Sequence, residues 1–273
     1  MPTISLGGYV THFDDDDFST PWIGSEVVLI QHGFGRNSKF WWHWVPAIAN
    51  EYRLNRRDLR GHGESTDGAD CPWTFDGLVA DLREFCDALE IDKIHLIGES
   101  TGGMLSVGFA HRFPERVHSL TLCNSPTTID KAGQTFFAGN YPTWQDALRA
   151  LGSRGWTEWL VDQAGTAVSD SVEERTWMLA QMARTSTEAM IRYSEIISSV
   201  DVAPLLPELK VPTLVLAPTR SSAAPLQGQK AIAATIPGAR LAIIDSRGHE
   251  TYWDRRDECI AAWRGHLASI SQT

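Results

Sequence analysis

Lys93-Ile94-His95-Leu96-Ile97-Gly98-Glu99-Ser100-Thr101-Gly102-Gly103 joins an apolar run to a serine flanked by glycines. The run Lys93 to Gly98 reads as a buried strand, and a helix follows from Thr101 to about Phe113, where Pro114 stops it. Gly-x-Ser-x-Gly at such a junction is a sharp, strained turn that lifts a serine hydroxyl above the sheet edge. The five-residue pattern alone arises by chance about one time in ten in a chain of this length. Its place between strand and helix makes coincidence far rarer. A plain glycine-rich helix start and a phosphate-binding turn are the rivals, but no lysine follows in P-loop register.

Outward from this junction, strand and helix alternate. Tyr9 to Phe13, Val27 to Gln31, Tyr52 to Leu59, Ser119 to Asn124, Thr213 to Ala217 and Arg240 to Asp245 read as further strands. Trp42 to Glu51, Asp76 to Glu90, Gln229 to Thr235 and Arg255 to Ser269 read as helices. This order predicts an α/β fold, a parallel sheet with helices on both faces. From Ser125 to Val211 the alternation stops, and Gln145 to Leu151, Thr157 to Gln163, Val172 to Arg184 and Thr187 to Val200 look helical. The expected organisation is a core of residues 1–125 and 211–273 with a helical cap, residues 126–210, inserted between.

Composition narrows the function. The 273 residues are 42% hydrophobic and suffice for a large core without disulfides or a structural metal. With 34 acidic against 24 basic residues the net charge is −10, so nucleic acid and anionic membranes are excluded as partners on average electrostatics. No apolar run approaches a membrane span, and Met1 to Gly8 lacks the basic-then-apolar pattern of a leader, which leads to the expectation of a cytoplasmic protein. Cys71, Cys86, Cys123 and Cys259 are scattered and expected to be buried thiols. Asp14 to Asp17 lacks the ligand spacing of a calcium loop and is expected to form a solvated turn. Neither a metal nor an organic cofactor is expected.

Two further motifs belong with Ser100. Gln31-His32-Gly33-Phe34-Gly35 follows a strand, where Phe34 N–H and Thr101 N–H would form a pair of donors for an oxyanion, with Gly33 beside the substrate. His32 is expected to buttress that loop. Gly33 to Ser38 and Gly61 to Thr66 each fail the dinucleotide fingerprint at the sixth position. Among nine histidines, His249 follows the last strand at the same end of the sheet as Ser100 and is the candidate base. It does not begin a zinc-binding His-Glu-x-x-His, because Trp253 stands at the fifth position.

Gly33-Phe34-Gly35, Asp58-Leu59-Arg60-Gly61-His62-Gly63-Glu64-Ser65, the Ser100 elbow and Gly248-His249 together resemble the α/β-hydrolase superfamily, in particular its small members with a helical cap. The resemblance covers nearly the whole chain outside the cap. It implies an eight-stranded, mostly parallel sheet and a cofactor-free Ser-His-acid site, while leaving the substrate open among esters, lactones and C–C bonds.

One feature departs from the family. Its usual acid follows the strand here spanning Thr213 to Ala217, yet Pro218-Thr219-Arg220-Ser221-Ser222-Ala223-Ala224-Pro225 holds no carboxylate. The alternative location, at the end of the preceding strand, offers Asn124. Three explanations compete: Asn124 orients the histidine, Asp130 or Asp245 reaches in, or the triad is incomplete. Asn124 is favoured.

Eleven tryptophans are many, and Trp144, Trp156, Trp159 and Trp177 fall in the cap. Trp159 and Trp177 are taken as the candidates to line a pocket for an apolar or aromatic ester or lactone. The partner expected is thus a small molecule, with homodimerisation left open. A C–C bond hydrolase and a non-catalytic ligand-binding relative are the alternatives.

Overall fold

The computed structural model describes residues 2–68, 70–166 and 169–270. Its frame is one eight-stranded sheet in the order β1 (Thr3–Leu6), β2 (Tyr9–Asp16), β4 (Arg53–Arg57), β3 (Val27–Gln31), β5 (Ile94–Glu99), β6 (Val117–Cys123), β7 (Thr213–Pro218) and β8 (Arg240–Ile244). β1–β2 and β2–β4 pair antiparallel, and all other neighbours are parallel. β3, β5 and β7 are buried along their whole length, as strands covered on both faces must be.

Helices α1 (Val45–Ile48), α2 (Phe75–Ala88), α3 (Thr101–Arg112), α4 (Lys131–Ala138), α5 (Trp144–Leu160), α6 (Val172–Met182), α7 (Thr187–Ser199), α8 (Leu226–Thr235), α9 (Thr251–Asp254) and α10 (Arg256–Ile270) complete the chain. One core cluster packs α2 and α3 on the sheet, and another gathers Trp41, Trp44 and Trp263 against β3, β7 and Tyr252. Between β6 and β7 the regular elements among the described residues are all helical: α4 to α7 and a 3-10 turn, Ala203–Glu208. The two patterns expected at 145–151 and 157–163 are one element, α5, kinked at Gly152, whose φ is +68°.

Some expectations need correction. β1 was not foreseen. The segment expected as a helix from Trp42 begins as a 3-10 helix at Ser38 and is α-helical only over Val45–Ile48. Asp14, Asp15 and Asp16 are not a solvated turn but the end of β2, where Asp15 pairs with Arg53 and Asp16 with Arg56 across the β2–β4 ladder. Opposite charges on facing strands support that pairing. All four cysteines are free and buried. No helix among the described residues is long and apolar enough to cross a membrane.

Candidate active site

Three sequence segments meet at the carboxyl ends of the parallel strands, which is where an open α/β sheet leaves a crevice. Ser100 sits between β5 and α3 with φ +50° and ψ −127°, a conformation that residues with a Cβ rarely hold. Its N–H is anchored to the carbonyl of Cys123 at 2.9 Å. The flanking glycines are required by close approach: a Cβ on Gly98 would lie 2.4 Å from Ser106 Oγ, and one on Gly102 would lie 2.3 Å from His32 O. The strained turn is held because α3 is wedged against β5 and the loop after β3.

His249, in the loop after β8, brings Nε2 to 3.0 Å from Ser100 Oγ. Its other nitrogen, Nδ1, lies 2.8 Å from Ser221 Oγ, which also accepts the Ala224 N–H at 2.9 Å. The residue at Nδ1 is therefore Ser221, not Asn124. Asn124 follows β6 with φ +51°, a left-handed position that asparagine tolerates. Its N–H bonds Leu216 O, and its Oδ1 receives Cys123 Sγ. Asp130 caps α4 by accepting the Gly133 N–H, and Asp245 is an exposed partner of Thr219 and Arg220. Neither acid stands at His249.

The loop after β3 is built rigidly. His32 accepts the Leu59 N–H on Nε2, so Nδ1 carries the proton and donates to Gly33 O at 2.8 Å. Burial, aided by His62 and Arg57, pushes the His32 pKa down to about 3, so the ring stays neutral. Gly33 N–H in turn donates to Glu99 Oε2 at 2.7 Å. Thr101 opens α3, so its N–H has no acceptor inside the helix, and its hydroxyl receives Tyr193 OH.

A buried charged cluster, Arg36, Glu99 and Glu250, borders the same cavity as Ser100 and His249. Arg36 holds Glu250 through Nε at 3.1 Å and through a second, shorter contact from its Nη2. Burial works to raise the Glu250 pKa, but Arg36 and His249 prevail and hold it below the usual carboxylate range. Glu99 goes the other way: burial and the Glu250 charge push it up to about 8 against the pull of Arg36 and the Gly33 N–H. Burial also drives His249 down to about 4, with Arg36 acting in the same sense and Glu250 opposing.

The cavity over Ser100 measures about 50 Å³. Phe34, Phe137, Trp144 and Trp156 give it aromatic walls, with Phe34 and Phe137 each 4.6 Å from the Trp144 ring. Trp159 and Trp177, the candidates from the sequence, lie elsewhere. Trp159 packs on Phe136 and borders a separate surface hollow with Gly139 and Tyr141, and Trp177 packs between Phe40 and Trp253. Neither lines this cavity. Gly33 is at the Glu99 hydrogen bond rather than among the lining residues, whereas Phe34 and Thr101 line the cavity together with Ser100 and His249. Ser221, Glu99, Arg36 and Glu250 were missed, although Glu99 stands inside the Gly-x-Ser-x-Gly pattern itself.

Several known proteins similar to this chain are hydrolases by name. The chain is 23% identical over 249 residues to a 3-oxoadipate enol-lactonase of Acinetobacter baylyi, covering 89% of each chain. It is 25% identical over 213 residues to the N-formylmaleamate deformylase of Pseudomonas putida, covering 77% of this chain and 76% of that one. The crystal structure of an enol-lactonase from Burkholderia xenovorans superposes with a TM-score of 0.82 at 24% identity, over 98% of this chain and 100% of the other. With residues 26–256 matching the model of the α/β-hydrolase fold family, and with an eight-stranded, mostly parallel sheet, the chain is a hydrolase that belongs to the α/β-hydrolase superfamily.

Proposed function

We propose that the protein cleaves carboxylic esters or lactones by nucleophilic catalysis. The observation that carries this reading is the 3.0 Å approach of His249 Nε2 to Ser100 Oγ on a strained turn. Ser100 Oγ adds to the carbonyl carbon, its proton passes to Nε2, and the carbonyl π pair moves to oxygen, facing the Phe34 and Thr101 N–H groups. When the pair returns, the C–O bond to the leaving group breaks and that oxygen takes the proton from His249. Water repeats the sequence and frees the acid. In a lactone the leaving alcohol stays tethered. Ser221 is a positioning residue that holds one tautomer of His249 through Nδ1.

The surroundings favour a neutral, apolar substrate. The aromatic walls suit a small apolar or planar group at the reacting carbonyl. Pro126, Ile129, Phe137 and Ala223 also border a second, adjacent groove of about 500 Å³ between α4 and α8, which on this reading takes the rest of the substrate. Among the residues bordering that groove Asp130 is the one charged side chain, so an anionic tail would meet repulsion and no cation. Residues 126–210 serve on this reading as the cap that encloses the substrate.

Steady-state hydrolysis of neutral nitrophenyl esters and lactones, with Ser100→Ala as control, tests the proposal. Turnover that disappears with Ser100→Ala is expected. Binding of these esters and lactones without turnover would overturn the proposal.

A further inference from the structure

An acid is missing at Nδ1, but a carboxyl group stands on the other side of the imidazole. Glu99 is 1% exposed, its Oε2 takes the Gly33 N–H, and its Oε1 lies 3.8 Å from His249 Nε2. We propose that Glu99, as a carboxylate, is the electrostatic partner that stabilises the His249 imidazolium in place of the missing acid. The proposal rests on the reading of Ser100 and His249 given above. Glu99 acts through His249 and is therefore a positioning residue.

The need for such a partner follows from the chemistry. When Ser100 Oγ attacks, a positive charge appears on a ring with almost no access to water. Ser221 offers only a neutral hydroxyl, and an unpaired buried charge is strongly disfavoured. Glu250 is already engaged by Arg36. Glu99 has no cation within salt-bridge distance other than His249 itself among the described residues.

The groups that face Glu99 are Glu250 and Tyr252 from the segment around α9, Arg36 and the Gly33 N–H from the loop after β3, His249, Tyr193 from α7 and Cys123 from β6. Their balance, with burial, leaves Glu99 titrating near 8. The sign then follows. Below that pH Glu99 holds its proton and cannot offset the imidazolium, whereas above it the carboxylate is present. Catalysis should climb by about tenfold per pH unit toward pH 8 and level off beyond. A site in which His249 alone titrates would level off far lower, since His249 is held down to about 4.

The test is the pH dependence of kcat and KM for a neutral nitrophenyl ester in the wild type and in Glu99→Gln. Glutamine keeps an oxygen for the Gly33 N–H, so the loop retains its anchor. The expected result is a limb near pH 8 in the wild type and none in Glu99→Gln. The variant's kcat should fall by ~10²-fold at pH 9, yet stay within about threefold at pH 6, with KM unchanged. In a Ser221→Asp background the same substitution should cost less than about threefold at pH 9, because the charge is then supplied at Nδ1.

A limb near pH 8 that survives in Glu99→Gln, or equal losses at pH 6 and pH 9, would overturn the proposal. Should Glu99→Gln fail to fold, the rate at which a fluorophosphonate labels wild-type Ser100 serves instead. There an Oγ–P bond forms, fluoride leaves and the proton goes to His249. A labelling rate flat from pH 6 to pH 9 overturns the role of Glu99 alone, and a Ser100 unlabelled at every pH overturns the nucleophile assignment and this proposal with it.

Discussion

Ser221→Asp places a carboxylate where His249 Nδ1 now meets a hydroxyl at 2.8 Å. Two unit charges about 4 Å apart attract by about 4 kcal/mol at an effective dielectric constant near 20. Against this stands lost hydration, since Ser221 is only 7% exposed. The Ala224 N–H, which already donates to Ser221 Oγ, would donate to the carboxylate and return part of that loss. Glu99 supplies some of the same stabilisation, so the two effects are not additive. The expected gain in kcat is ~10²-fold, smaller than the ~10⁴-fold that a serine protease loses with its acid. Saturating hydrolysis of a neutral nitrophenyl ester by Ser221→Asp, Ser221→Asn and Ser221→Ala separates charge from shape. The reasoning predicts Asp faster than the wild type, Asn near it, and Ala slower, because Ala leaves both Nδ1 and the Ala224 N–H without their partner. Asp no faster than Asn, or Ala equal to the wild type, would refute it.

The aromatic walls make a second prediction. Trp156→Ala should shift preference toward bulkier acyl groups by about tenfold in the ratio of kcat/KM values and lower stability by about 3–5 kcal/mol, whereas Trp159→Ala should leave the ratio unchanged; an ester panel and denaturant unfolding measure both. The buried Arg36–Glu250 pair gives a third. Arg36→Met should cost about 3–5 kcal/mol by leaving Glu250 uncompensated, and adding Glu250→Gln should recover much of it, as a double-mutant cycle by urea unfolding will show. Acid sensitivity is the fourth. His32, His43 and His62 are held at about 3, 4 and 4 by burial. Their folded pKa values lie below the unfolded value, so the stability they contribute is complete above about pH 6.5 and is lost as pH falls toward 4. At pH 5, His32 and His62 should each cost about 2 kcal/mol. Glu99, raised on folding, works in the opposite sense between pH 8 and 4.5, but the imidazoles outnumber it. A Tm at pH 5 equal to or above that at pH 7.5 would contradict this.

The parts of the site that could be read from sequence are those written into neighbouring residues. An apolar run, two glycines and a helix-forming stretch fix the elbow locally, so Ser100 was accessible, and His249 followed from its place after the last strand. The partner at Nδ1 was not accessible. It depends on how the loop after β7 folds back over the loop after β8, and a serine in a loop carries no distinguishing signal. Asn124 appeared the better candidate because its left-handed backbone, the reason an asparagine suits that position, cannot be seen in a sequence. Glu99 was hidden in the variable position of the elbow, where only burial and the 3.8 Å approach to His249 give it meaning.

The cap tryptophans differ by depth rather than by face. Trp156 and Trp159 both follow the kink at Gly152 and their rings lie 6.4 Å apart, but Trp156 reaches Phe34 at the cavity, while Trp159 stops at Phe136 and Gly139. A sequence does not show which of two neighbours on one helix face reaches the site. The acidic run at Asp14 to Asp16 was misread because its arginines lie on β4, some forty residues away in sequence.

Peptide mapping of the protein after exposure to a fluorophosphonate is the most direct measurement of the central assignment. The account predicts one adduct, on the hydroxyl of Ser100, formed by the wild type and lost in both Ser100→Ala and His249→Ala. An adduct on any other residue, or undiminished labelling of Ser100 in His249→Ala, would contradict it.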